Sequence, residues 1–269
     1  MLSRILFLSL CLPTLLAAQS QHDSAEHFFD SRIAHLNYNS AEWQSAADSA
    51  LMIDSTVGFI WQLRSMPYFK DGDYGSGMQY LPKAAQYNPV SSLPYMAFMK
   101  CIFMKDYEGA IRDFQESKQK GYGIGLMDHS YDFFLGICYM ELDSLNLAQQ
   151  YLQASIAATV KHPGENWVHY NEWFYMGMLW YKKHQYPLAI PYFEMSLKQY
   201  DGYPPALFYK AQALAQKGNK TEALQLLEQA KVNIAKGIHS TEDNDFYVNY
   251  PYTIYAGDVE ELITVLGKK

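Results

Sequence analysis

His162, His169 and Glu172 bring two imidazoles and a carboxylate into one short stretch, and His169 and Glu172 share one face of a helix start. Zinc needs at least three protein ligands, and two that are fixed by helical spacing do not make a site. The expectation is therefore solvated residues at a helix start; a metal or small-molecule site built on the 162–172 insertion is the lesser alternative. Asp71-Gly72-Asp73 offers two carboxylates spaced as in a calcium loop. However, Gly75 stands where the third oxygen ligand belongs, and Pro82 stands where the bidentate Glu is needed. This stretch is expected to be a turn. No Gly-x-Ser-x-Gly elbow, Cys with a His partner or phosphate-cradling glycine loop occurs, so neither an enzyme nor a bound cofactor is expected.

Charge and composition narrow the partner. The chain of 269 residues carries a net charge of −7 and has no run of Lys or Arg that could neutralise phosphates, which argues against nucleic acid. Lys182-Lys183 and Lys268-Lys269 suit the C-terminal ends of helices. Charged residues are only 18%, whereas aromatics reach 16%, with 23 Tyr, so the surface must hold more Tyr, Gln and Met than usual.

Residues 1–18 have the pattern of an export signal: Arg4, an apolar stretch from Ile5 to Leu16, then Ala17-Ala18 ahead of polar residues. Cys11 does not fit a lipidation site, because Leu10 stands where a small residue is required. The expected location is periplasmic or envelope-associated, or secreted. Export leaves Cys101 and Cys138, both late in first helices of repeat units. They are expected to be small buried hydrophobes with free thiols; a disulfide between neighbouring units is conceivable, but their helix faces do not obviously match.

These residues must be positioned by a repeat. From Tyr170 the chain places Trp173, Met176-Gly177, Trp180, Ala189, Phe193 and Ser196, and about 34 residues on it offers Leu207, Ala211, Leu214, Ala223, Leu227 and Ala230. Earlier copies give Leu135-Gly136, Tyr139, Ala148, Leu152 and Ser155; Ala110, Phe114 and Ser117; and Trp61, Ser65, Tyr68, Gly77, Leu81 and Ala84. Phe98 stands where a small residue belongs, so the helix that carries it should be irregular. The pattern resembles the tetratricopeptide repeat over residues 24–236, in units starting near 24, 58, 91, 129, 170 and 204. That resemblance implies an all-α, right-handed superhelical solenoid of about six helix-turn-helix units. Gly136, Gly177 and Ala211 would lie where paired helices cross.

After Gly237 helical periodicity is lost, and residues 237–269 are expected to be an extended connection followed by a capping helix with Asp258 as N-cap and Glu261 as its box partner. Thr221 is the expected cap of the helix before it.

The family register also places columns on the inner face of each first helix. Applied here it selects Tyr95, Phe133, Phe174 and Phe208, then Met99 and Met178, then Met140 and Tyr181. The family's charged carboxylate clamp is missing, so the implied ligand is another protein or an apolar peptide segment. Two readings stay open: a groove for a partner, or a stripe that is buried as core or filled by residues 246–266. The expected function is a non-enzymatic binding scaffold in the bacterial envelope; alternatives are a structural subunit peripherally associated with a membrane complex and the metal or small-molecule binder above.

Overall fold

In the computed structural model, residues 5–33, 35–241 and 250–268 are described, with side chains from residue 19 onward. Among them the chain is almost wholly helical, and no helix is long and apolar enough to cross a membrane. The readings that rest on the side chains of residues 1–18 and on residues 242–249 lie outside the described residues. The chain divides into two compact units, residues 1–97 with 119–123, and residues 98–118 with 124–269.

In the first unit α1 (Ile5–Ile33) packs on α2 (Ala41–Ile53), and α2 on α3 (Gly58–Lys70). Ser40 caps α2 by accepting from the Trp43 N–H at 3.1 Å. Ala25, Phe29, Trp43, Ala47, Ala50 and Ile60 form the core, with the Phe29 and Trp43 rings edge to face at 5.4 Å. The helix that should follow as one piece is broken into α4 (Tyr74–Met78) and α5 (Leu81–Tyr87). Gly75 and Gly77 are poor helix formers, and Pro82 supplies no N–H and crowds the carbonyl four residues back, so the helix restarts after Tyr80. The last helix of this unit, α6 (Pro89–Phe98), runs to the unit boundary.

The second unit opens with a π-helical stretch, Met99–Met104, directly after Phe98, which is the irregularity that the bulky residue foretold. Then come α7 (Tyr107–Lys120) and a two-residue hairpin, β1 (Gly125–Leu126) with β2 (His129–Ser130), whose turn residues Met127 and Asp128 both have positive φ. Three helix pairs follow: α8 (Tyr131–Glu141) with α9 (Leu145–Lys161), α10 (Tyr170–Lys182) with α11 (Tyr186–Gln199), and α12 (Pro204–Gln216) with α13 (Lys220–Ala235). Next along the chain, α14 (Ala256–Gly267) packs on α13. Glycine at the crossings is a steric requirement: a Cβ on Gly136 would lie 2.6 Å from Leu152, and one on Gly177 2.5 Å from Phe193.

One turn recurs inside the pairs. Gly72, Asp143, His184 and Gly218 all take positive φ, and the N–H of the next residue bonds back to the carbonyl five residues earlier, as in Ser144 to Tyr139 at 2.8 Å and Asn219 to Leu214 at 3.0 Å. The Asp71–Asp73 stretch is this turn, and Asp73 spends its carboxylate capping α4 through the Ser76 N–H.

Two expected caps move. Asn219, not Thr221, accepts from the Glu222 N–H and starts α13, because the turn geometry already ends at Asn219. Tyr255 is the N-cap of α14, and Asp258 is its box partner, accepting from the Tyr255 N–H at 2.7 Å. Starting the helix at Ala256 puts Val259 in the core with Leu207, Leu214 and Leu227.

Candidate peptide-binding face

Tyr175 and Lys182 lie two turns apart on α10, so they share one stripe of that helix. Tyr209 on α12 repeats the place of Tyr175, and Glu141 at the end of α8 repeats that of Lys182 once the insertion before α10 is allowed for. The 250–255 segment of the same chain rests on this face. It was expected to be extended, but it turns: Tyr250 O accepts from the Thr253 N–H at 3.4 Å and from the Thr253 hydroxyl at 2.8 Å. Pro251 sets the second position of the turn, and Tyr252 takes the third with φ of 69°. A non-glycine residue in that conformation costs roughly 1–2 kcal/mol, which its contacts must offset.

Those contacts are aromatic and polar together. The Tyr252 ring meets Tyr175 edge-on at 6.1 Å and Tyr209 at 6.0 Å, the Lys182 ammonium lies 6.0 Å from its centre, and its phenol donates to Glu141. The other Glu141 oxygen faces the Tyr107 hydroxyl at 3.5 Å. Burial, reinforced by the neighbouring carboxylate, pushes the Tyr252 phenol far above its ordinary pKa; burial does the same first of all for Tyr107, Tyr209 and Tyr175.

Phenols also read the backbone of this C-terminal stretch. Tyr175 donates to Pro251 O at 3.0 Å, Tyr200 donates to His239 O at 3.0 Å, and the Tyr170 oxygen accepts the Thr241 N–H at 2.9 Å. Part of the unusual tyrosine content is thereby explained. A phenol packs like Phe and still satisfies a main-chain group that burial would otherwise leave unpaired.

The eight sequence-selected residues are packing residues to differing degrees. Phe133, Phe174, Met140, Met178, Met99 and Phe208 are buried, while Tyr95 and Tyr181 are half-buried. Phe133 packs on Tyr175 and on the His129 ring, and Phe174 packs on Phe193, Tyr203 and Tyr209. Tyr181 donates to Gln212 and packs on Tyr209. Tyr95 belongs to the first unit, and burial raises its phenol pKa to about 12. The side chains that touch the segment follow the selected ones by a single residue: Glu141 after Met140, Tyr175 after Phe174, Lys182 after Tyr181, Tyr209 after Phe208. One residue turns a helix by about 100°, which carries the contact face away from the Phe and Met stripe that the helix pairs use for packing. The side chains that meet the segment carry polar tips, Tyr, Glu and Lys, and Tyr175 among them is itself buried.

The histidine and carboxylate cluster follows expectation at His162, which is exposed, and departs from it at Glu172. Glu172 is buried, and one of its oxygens accepts from the Ser155 hydroxyl at 3.0 Å, while His169 caps α10 through the Asn171 N–H. The preceding pair covers this helix start, which the sequence read as solvated. Among the described residues no group of three His, Cys, Asp or Glu is placed to hold a metal.

No family model matches the chain, and a comparison with curated proteins gives no match. Solved structures do match. The type IV pilus biogenesis factor PilW aligns with a TM-score of 0.61 at 16% identity, over 84% of this chain and 96% of PilW. PilF of Pseudomonas aeruginosa gives 0.61 at 16% identity over 86% and 98%. YrrB, a tetratricopeptide-repeat protein with an unusual peptide-binding site, gives 0.50 at 18% identity over 72% and 100%. The fold is the tetratricopeptide-repeat fold: an all-α array of helix hairpins.

Proposed function

We propose that this protein is a non-enzymatic scaffold that binds a protein segment on the face formed by α8, α10 and α12, and that its own 250–255 turn occupies that face until a partner replaces it. The observation that carries this reading is that the face already holds a peptide in the manner of a receptor. Tyr175 satisfies a main-chain carbonyl of the turn, which is independent of sequence, and Tyr170 and Tyr200 do the same for residues 239–241 before it, while Glu141, Lys182 and Tyr209 surround one tyrosine ring. The ligand chemistry follows from that occupant: a turn presenting an aromatic ring with a hydrogen-bond donor at its tip, beside a proline. Phe133, Phe174, Phe208, Met140, Met178, Met99 and Tyr181 support binding as packed layers of the second unit; Tyr95, in the first unit, is not part of this face.

The test uses a fluorescent peptide of residues 250–255 and the Tyr252→Ala variant, whose own occupant is weakened. Saturable binding to the variant, at least tenfold tighter than to the unaltered protein, is expected by anisotropy. A variant that keeps its helical circular dichroism and binds no peptide overturns the reading.

The leader-like residues 1–18 support a place in the bacterial envelope, and fractionation to the periplasm checks it. A structural subunit of a membrane-associated complex is the second reading. It is favoured by the likeness to PilW, which covers almost all of that pilus biogenesis factor; co-purification with membranes that survives Tyr252→Ala would single it out.

A further inference from the structure

Cys101 lies inside the π-helical stretch Met99–Met104, and Cys138 lies on α8. Both are wholly buried, and their sulfurs are 3.3 Å apart across 37 residues of chain. From sequence spacing alone the two faces do not obviously match. The π-helical stretch changes that: each residue turns the backbone through a smaller angle than in an α-helix, so the side chains after Phe98 are re-aimed relative to the regular register. The Cys101 thiol is thereby brought onto α8, and the Cys138 Sγ–H donates to it.

We infer that Cys101 and Cys138 are the two halves of an intramolecular disulfide that joins the π-helical stretch to α8. The sulfurs need to approach by only about 1.3 Å to reach bonding distance. Oxidation proceeds by exchange with a small-molecule disulfide of the glutathione class. One cysteine thiolate attacks it, forming a mixed disulfide and releasing one glutathione thiolate; the second cysteine thiolate then attacks the protein sulfur of the mixed disulfide and releases the other. Two thiols lose two protons and two electrons, and the small disulfide is reduced to two thiols. Because neither sulfur touches solvent in the folded unit, exchange takes place while the segment is still open during folding, and the finished bond is shielded from reductants. Burial also pushes the Cys138 thiol well above its ordinary pKa, so the native thiol is a poor nucleophile and the open state is the reactive one.

The experiment refolds the full chain from denaturant in mixed oxidised and reduced glutathione, blocks residual thiols with iodoacetamide in denaturant, and digests with trypsin without reduction. Cleavage after Lys100, Lys105, Lys120 and Lys161 releases the two cysteines on peptides 101–105 and 121–161. Their recovery as one linked species, two mass units below the sum of the thiol peptides and separated by reduction, is the expected result. A second expected result is a melting temperature lowered by about 5–10 °C in the chain refolded under full reduction. Recovery of both peptides alkylated, or of either cysteine joined to Cys11 or to a second chain, overturns the inference. Cys101→Ser is the control: it must abolish the linked species and leave Cys138 blocked by iodoacetamide or glutathione.

Discussion

Each unit gathers tyrosines around one charge, but the charges have opposite sign. In the first unit Arg64 is the centre. Its Nε donates to Asp48 at 2.8 Å, another nitrogen reaches the Tyr68 hydroxyl at 3.1 Å, and its guanidinium lies 4.9 Å from the Tyr80 ring centre. In the second unit Glu141 is the centre, between Tyr107 and Tyr252. The first cluster is assembled from neighbouring helices and the break between α4 and α5, whereas Tyr252 comes to Glu141 from 111 residues away and outside the repeats. Under the proposed exchange, the first has to be complete for the hairpins to pack, whereas the second empties and leaves the hairpins intact. Structure and exchangeability divide along that line.

The largest effect should come from the frame that carries the second cluster. Gly136→Val on α8 drives a branched side chain into Leu152, and overpacking of that size is expected to cost about 3 kcal/mol, read as a lower midpoint in urea. Arg64→Ala comes next. It removes a buried cation from two rings and a carboxylate, and should cost about 2 kcal/mol. The cost should fall on cooperative unfolding and leave binding of the 250–255 peptide to a Tyr252→Ala background unchanged. If Arg64→Ala spares stability and alters peptide binding, the contrast between the clusters is wrong.

The packing layer was legible because its requirements are steric and repeat. Gly136, Gly177, Ala211, Leu152 and Phe193 recur wherever two helices cross, so a period near 34 residues exposes them. The contact face was not, because it is set by a rotation of one residue that depends on how neighbouring pairs share their Phe and Met side chains, and no single residue reports that. The Pro251-Tyr252 turn escaped for another reason. Alternating aromatic and polar residues read as extended chain, and only the tertiary contacts of Tyr252 compensate its left-handed backbone. Cys101 meets Cys138 from within the π-helical stretch: Phe98 led the sequence to expect an irregular helix there, but the direction that Cys101 takes was not visible.

Alkali sharpens the comparison. In the second unit the phenols of Tyr175, Tyr209 and Tyr252 are all raised above the ordinary value of 10.0, chiefly by burial. Their contribution to the bound state is complete below pH 10. Above pH 10 the detached or unfolded form loses protons that the native form keeps, so stability falls by up to about 1.4 kcal/mol per pH unit for each such phenol. In the first cluster Tyr68 is shifted the other way, by its hydrogen bonds from Tyr80 and Arg64, and its contribution persists above pH 10, while burial raises Tyr80 and opposes it. Between pH 10 and 11.5 the 250–255 segment should therefore become accessible to protease before the first unit loses its near-ultraviolet circular dichroism. Simultaneous loss would mean that the two clusters are equally structural.

The smallest expected effect is the most discriminating. Tyr252→Phe keeps the ring against Tyr175, Tyr209 and Lys182 and deletes only the phenol that donates to Glu141. A hydrogen bond to a charged acceptor contributes about 1.5–3 kcal/mol, but a carboxylate left beside a surface segment recovers part of that from water, so a net loss of about 1 kcal/mol is expected for segment attachment. Global unfolding should barely move, whereas protease cleavage within 250–255 should rise about fivefold, because attachment is a local equilibrium uncoupled from the hairpins. The alkaline release should also become shallower by one titrating group. An unchanged cleavage rate would show that ring packing alone holds the segment, and the ligand chemistry would then lose its requirement for a donor and keep only its requirement for an aromatic turn.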